Sequence, residues 1–228
     1  MSKVFPVDKK LLRTSTTFFD NQPLAKKGKT AVPNQVTLPD TTGRAFRIYL
    51  SWLQTGHFYI VGEDPDDTPL SEDDPVDYPI HHDALDASGL EYEKWYECYK
   101  LGHNIKDVGF QDACIDLSQE MITSGKYMMV VQSRVYKLDG SHQEHRKFAV
   151  DIAAHLWKPI TFKLIDPGYD YKMRFFEDLL IYFGQEERKK CRSMEKPTET
   201  FFKDVDCKYH AHKSLKEPCY KETHPAYK

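Results

Sequence analysis

The chain has 228 residues, 40% hydrophobic and 29% charged, enough for one large domain or two small ones with a sizeable buried core. Its net charge of −3 and pI near 6.4 leave no general electrostatic footprint for nucleic acid or an anionic membrane. No segment approaches the roughly 20 apolar residues of a membrane span, and the opening MSKVFPVDKKLL has no apolar run long enough for a signal peptide.

Residues 1–20 carry Leu11, Leu12, Phe18 and Phe19 at spacings of one, seven and eight. That pattern predicts a terminal amphipathic helix. Residues 21–44, rich in Pro, Gly, Lys and Thr, read as an extended arm with a small basic cluster at Lys26, Lys27 and Lys29. The segment Phe46–Leu53, the turn Gln54-Thr55-Gly56 and the segment His57–Val61 read together as a β-hairpin. Residues 63–83 are Pro-broken and densely acidic, which predicts a long surface loop with His81, His82 and Asp83 solvated in it.

Leu90–Leu101 predicts a short helix, with Trp95, Cys98 and Tyr99 on one side, Ser88 as its N-cap and Gly102 as its stop. Ala113–Leu117, Tyr127–Val135 and Lys147–Trp157 read as strands, and Ile160, Phe162 and Leu164 extend the last of these. Period-two alternation in consecutive segments points to an antiparallel sandwich. Tyr171–Arg188 predicts a helix with the apolar stripe Met173, Phe176, Leu179, Leu180 and Phe183, and residues 189–228 read as an irregular tail. The expected architecture is therefore mainly β with a few helices, in a single domain. It comprises an N-terminal helix (1–20), an arm (21–44), an antiparallel β-sandwich core (45–188) and a C-terminal tail (189–228).

Five Cys, an odd count and widely scattered, point to reduced thiols in a cytosol-like compartment. Cys207-x-x-His210-x-His212, with Cys219 seven residues further on, is the strongest local chemical constellation. Two thiolates and two imidazoles could close a tetrahedral Zn²⁺ site. The spacing fits no standard zinc finger, since both His lie between the two Cys, so the sequence commits no metal ligand. No G-x-S-x-G, P-loop, G-x-G-x-x-G or H-E-x-x-H occurs, Ser141, His142, Glu144 and His145 sit on an expected turn, and Cys98 is expected to be buried. The absence of a catalytic motif favours a structural or assembly role over an enzymatic one.

The order of the hairpin FRIYLSWLQTGHFYIVG, the segment YEKWYECYKLGHN, the strand YMMVVQS and the helix MRFFEDLLIYFG, behind a terminal helix ending in Phe18-Phe19-Asp20-Asn21, resembles the polyhedrins of cypoviruses. The resemblance spans about residues 10–60 and 90–185. It implies a β-sandwich with a projecting N-terminal helix, whose Leu11, Leu12, Phe18 and Phe19 would meet neighbouring copies. The implied protein forms homotrimers that interlock into a cytoplasmic crystal of the infected cell, an occlusion body embedding virus particles, with no membrane and no sequence-specific nucleic acid as partner. No cofactor is required, although some members bind nucleoside triphosphates; no motif here assigns that ligand to a residue. Such a matrix should dissolve near or above pH ~10, where the 14 Tyr and the Lys side chains lose protons and the chain repels itself. The alternative is a cytosolic binding module with a zinc site in its C-terminal tail.

Overall fold

In the computed structural model the described residues are 4–20, 36–38, 40–60, 87–124, 131–158, 162, 173–188, 202 and 207–227. Among them there is no strand, and they are mainly helical. The helices are α1 (Lys9–Leu12), α2 (Gly43–Thr55), α3 (Ala87–Asn104), α4 (Val108–Thr123), α5 (Val131–Lys137), α6 (Gln143–Leu156), α7 (Met173–Arg188), α8 (His212–Leu215) and α9 (Tyr220–Thr223). Single 3₁₀ turns lie at Phe18–Asp20 and Pro225–Tyr227. The β-sandwich inferred from alternation and from the polyhedrin resemblance is thus corrected to a helical fold. The hairpin is α2 and the short loop after it, the strand Ala113–Leu117 lies inside α4, the described end of Tyr127–Val135 enters α5, and Lys147–Trp157 is the body of α6. The acidic segment 63–83, with His81, His82 and Asp83, lies outside the described residues, as do Lys26, Lys27 and Lys29.

Two compact units are present, one built around α2 and α3 and the other around α5, α6 and α7. In the first, α2 is bounded by capping chemistry. The Thr42 hydroxyl accepts from the Ala45 amide at 3.1 Å, satisfying a donor that no helical carbonyl reaches. At the other end Gly56 adopts φ 73°, and its N–H closes on the Trp52 carbonyl at 2.8 Å. A Cβ at Gly56 would also come within 2.7 Å of the Ala226 Cβ, so backbone angle and space both require glycine here. Ala45, Phe46, Ile48, Tyr49, Trp52 and Leu53 are all buried, the i, i+3, i+4, i+7 stripe of an amphipathic helix.

That stripe packs on α3 and the start of α4. The Arg44 guanidinium forks onto Glu97 of α3 at 2.9 and 2.7 Å, and Thr42 adds a bond of 2.8 Å to the same carboxylate. Trp95 is wholly buried, stacks on Tyr99 at 5.5 Å, and donates its indole N–H to the Cys114 carbonyl at 2.8 Å. Asp107 caps α4 through the Phe110 amide at 2.9 Å and accepts from the Tyr49 hydroxyl at 2.8 Å. Burial, reinforced by the Asp107 charge, raises the Tyr49 phenol far above its usual range, so it stays a donor.

The C-terminal turns complete this unit. The His224 ring lies 4.6 Å from Trp52, and its Nδ1 accepts from the Ala226 amide at 3.2 Å. Burial depresses the His224 pKa below its ordinary 6.5. An unfolded chain then binds a proton that the folded chain refuses, so this contribution is complete above about pH 6.5 and declines as pH falls through the depressed value. His224→Gln should flatten the pH dependence of unfolding free energy just below pH ~6.5; a slope equal to wild type in urea titrations would rule out this assignment.

In the second unit, α6 is buried on nearly all sides through Phe148, Ala149, Val150, Ile152, Ala153 and Ala154. It packs against α5 and α7. Phe175 and Leu179 of α7 are buried, while Met173 and Leu180 of the expected stripe are exposed. The Tyr136 hydroxyl of α5 bonds Asp178 of α7 at 2.7 Å, and His155 of α6 bonds Tyr182 of α7.

Candidate metal centre

The stretch 207–219 is folded by local backbone chemistry. Cys207 sits at φ 51°, in the left-handed region uncommon for non-glycine residues, and opens a turn closed by the His210 amide on its carbonyl at 3.3 Å. The short helix α8 follows, and Lys216 at φ 58° ends it. There the Glu217 amide returns to the His212 carbonyl at 2.9 Å, a reversal of the kind that terminates helices, with Pro218 behind it. Cys219 is then the N-cap residue of α9, and the Glu222 and Thr223 amides close on its carbonyl. Two tight reversals in thirteen residues bring the ends of the stretch back together.

The result is a cluster. One donor atom from each of Cys207, His210, His212 and Cys219 lies within 4.8 Å of the others, and three of the four residues are buried. A Zn²⁺ with bonds of about 2.3 Å to sulfur and 2.0–2.1 Å to nitrogen implies tetrahedral edges of about 3.3–3.8 Å, so the most widely separated donors need to draw in by at most about 1.5 Å. Cys207 and Cys219 are thiols with no disulfide between them. The two imidazoles lie with ring centres 5.2 Å apart at 68°. Thiolate with imidazole is a donor set that suits zinc.

Long-range bonds seat residues 208–210 on the second unit. The Tyr209 hydroxyl donates to Asp151 of α6 at 2.9 Å, and the Tyr209 ring packs on Phe148 at 5.0 Å. Lys208 and Lys147 both reach the Asp151 carboxylate at 2.9 Å. Burial alone would push the Asp151 carboxyl upward; Lys147 and Lys208 outweigh it and hold it below the ordinary range. Burial and the Asp151 charge in turn raise the Tyr209 phenol far above its usual range. His210, 1% exposed, meets Asp116 of α4 through Nε2 at 2.7 Å.

The structure therefore assembles the four residues whose spacing fits no standard finger. Asp116 and Asp151 carry no signal in the sequence, because their partners are 94 and 58 residues away. Of the residues expected to meet neighbouring copies, Leu12 and Phe19 are buried within their own unit, and Leu11 and Phe18 are half-buried. Helix α1 packs on α2, and the Thr16 hydroxyl bonds the Ile105 carbonyl at 3.0 Å. Cys98 and Cys114 are fully buried, and desolvation pushes both thiols well above their usual range, which suits packing rather than nucleophilic chemistry. His145 is buried inside α6 and His142 caps that helix. No described helix is long and apolar enough to cross a membrane.

No family model, no curated protein and no solved structure matches the chain.

Proposed function

We propose that this chain is a zinc-binding protein in which Cys207, His210, His212 and Cys219 hold one structural ion that cross-links the C-terminal segment. The observation that carries the reading is the convergence of four soft and borderline donors within 4.8 Å. Four protein ligands make a closed site; a catalytic zinc keeps a position open for water or substrate. The role that follows is a helical binding module stabilised by metal. The crystalline-matrix reading drew its fold from a sandwich, and a helical chain withdraws that support.

Chain purified without chelator should carry about one zinc per molecule. Replacing it with Co²⁺ should produce visible ligand-field bands of tetrahedral intensity together with thiolate charge-transfer absorption, both weakened by Cys207→Ser. A chain that takes up neither ion in excess, or a cobalt spectrum without the thiolate band, would contradict the proposal.

A further inference from the structure

We infer that Asp116 is a positioning residue of this metal centre, fixing His210 as an Nδ1 ligand; the inference rests on the zinc reading above. Imidazole has two nitrogens, and a neutral ring offers a lone pair on only one. The Asp116 Oδ1 lies 2.7 Å from Nε2 of His210, a charge-assisted bond that places the proton on Nε2. The lone pair is then on Nδ1, a fully buried atom. A carboxylate on the outer nitrogen both orients the ring and raises its basicity toward a metal.

The carboxylate is itself held. Asp116 lies within α4, and its Oδ1 accepts from the Gln119 side chain at 3.2 Å, three residues further along the same helix. Asp151 acts on the neighbouring side chains instead. It binds the Tyr209 hydroxyl and two lysines, and so fixes the chain next to His210 without touching the ring. The metal centre thus has a local part, the four donors, and a remote part on α4 that selects which nitrogen of His210 is presented. Three consecutive residues, Lys208, Tyr209 and His210, tie the stretch to α6 and α4, and ligands flank them on both sides.

The test compares Asp116→Ala, Asp116→Asn and Gln119→Ala in the full chain, with zinc affinity measured by competition against a chromophoric chelator. Asp116→Ala should weaken zinc binding by about 10–100-fold. Asp116→Asn should weaken it less, because the amide oxygen still accepts from Nε2–H, and Gln119→Ala, which removes one bond to the Asp116 carboxylate, should weaken it least of the three. Long-range ¹H–¹⁵N spectra of the zinc-loaded protein should show His210 as a single Nε2–H tautomer in wild type and in Asp116→Asn. A merely structural aspartate would lower stability while leaving affinity and tautomer unchanged, and that result overturns the inference while the zinc site stands. A wild-type chain that takes up no zinc overturns both.

Discussion

Zinc added to chelator-stripped protein should protect the C-terminal stretch against hydrogen exchange and shift its opening by an amount set by mass action. An ion that binds the folded stretch alone stabilises it by RT ln(1 + [Zn]/Kd), about 4 kcal/mol at a free concentration roughly a thousand times Kd. The protection should concentrate at residues 207–217, which form the two reversals that present the donors, and at the Glu222 and Thr223 amides, which close on the carbonyl of the ligand Cys219. Cys219→Ser should lose most of the gain, because a hydroxyl is a poor zinc ligand at neutral pH and three ligands leave the site open. Lys213→Ala, an exposed substitution on the same short helix, is the control and should retain it. Residual zinc binding by cysteines of the unfolded chain would reduce the effect but not its dependence on Cys219. If zinc protects Cys219→Ser as strongly as wild type, the ion is bound elsewhere.

The donor residues of this centre are visible in the sequence as residue types, and their convergence is not. Spacing rules capture sites built on familiar loops, and here both histidines fall between the cysteines. What joins the ends is a left-handed Cys207 and a left-handed Lys216, two backbone choices that residue type does not announce. The helices Leu90–Leu101 and Tyr171–Arg188 are legible because each carries a 3.6-residue period; α3 runs Ala87–Asn104, through the glycine expected to stop it, and the described part of α7 is Met173–Arg188. The stripe of α7 is rotated from expectation, since Phe175 and Leu179 face the core while Leu180 does not.

The strand assignments fail for a physical reason. In α6 nearly every residue from Phe148 to Ala154 is buried, and a helix apolar on all sides contains alternating subsets that imitate a strand. In Lys147–Trp157 the alternating set Phe148, Val150, Ile152 and Ala154 is one such subset. In α2 the aromatic and β-branched residues raise β propensity, a weak prior that tertiary packing overrides. The helix has its own signals in Thr42 as N-cap and Gly56 as C-terminal stop, at the two ends of a 3.6-period stripe. Turn chemistry at Gln54-Thr55-Gly56 imitates a hairpin because a helix C-terminus and a tight turn both use glycine at positive φ.

The two readings of residues 46–53 make opposite demands on single substitutions, and Trp52→Ala is the largest of them. Trp52 is fully buried, with ring centres at 5.0 Å from Phe110, 6.1 Å from Tyr220, 6.2 Å from Tyr49 and 4.6 Å from His224. Deleting a tryptophan from such a site should cost about 3–5 kcal/mol of unfolding free energy. Trp52→Phe should cost clearly less. It keeps much of the apolar volume, and it removes an indole N–H that is buried with no hydrogen-bond partner, a group whose burial is itself unfavourable by about 1–3 kcal/mol. A strand would place Ile48, Leu50 and Trp52 on one face and Tyr49 on the other. The helix instead turns Tyr49 inward beside Trp52 and leaves Leu50 half-exposed. Leu50→Ala should therefore be much milder than Tyr49→Ala, which deletes a fully buried ring and the hydroxyl that bonds Asp107. Urea unfolding followed by circular dichroism gives the order directly. Costs that place Leu50 with Trp52 and Tyr49 at the surface would return this segment to a strand and remove the core on which the first unit is built.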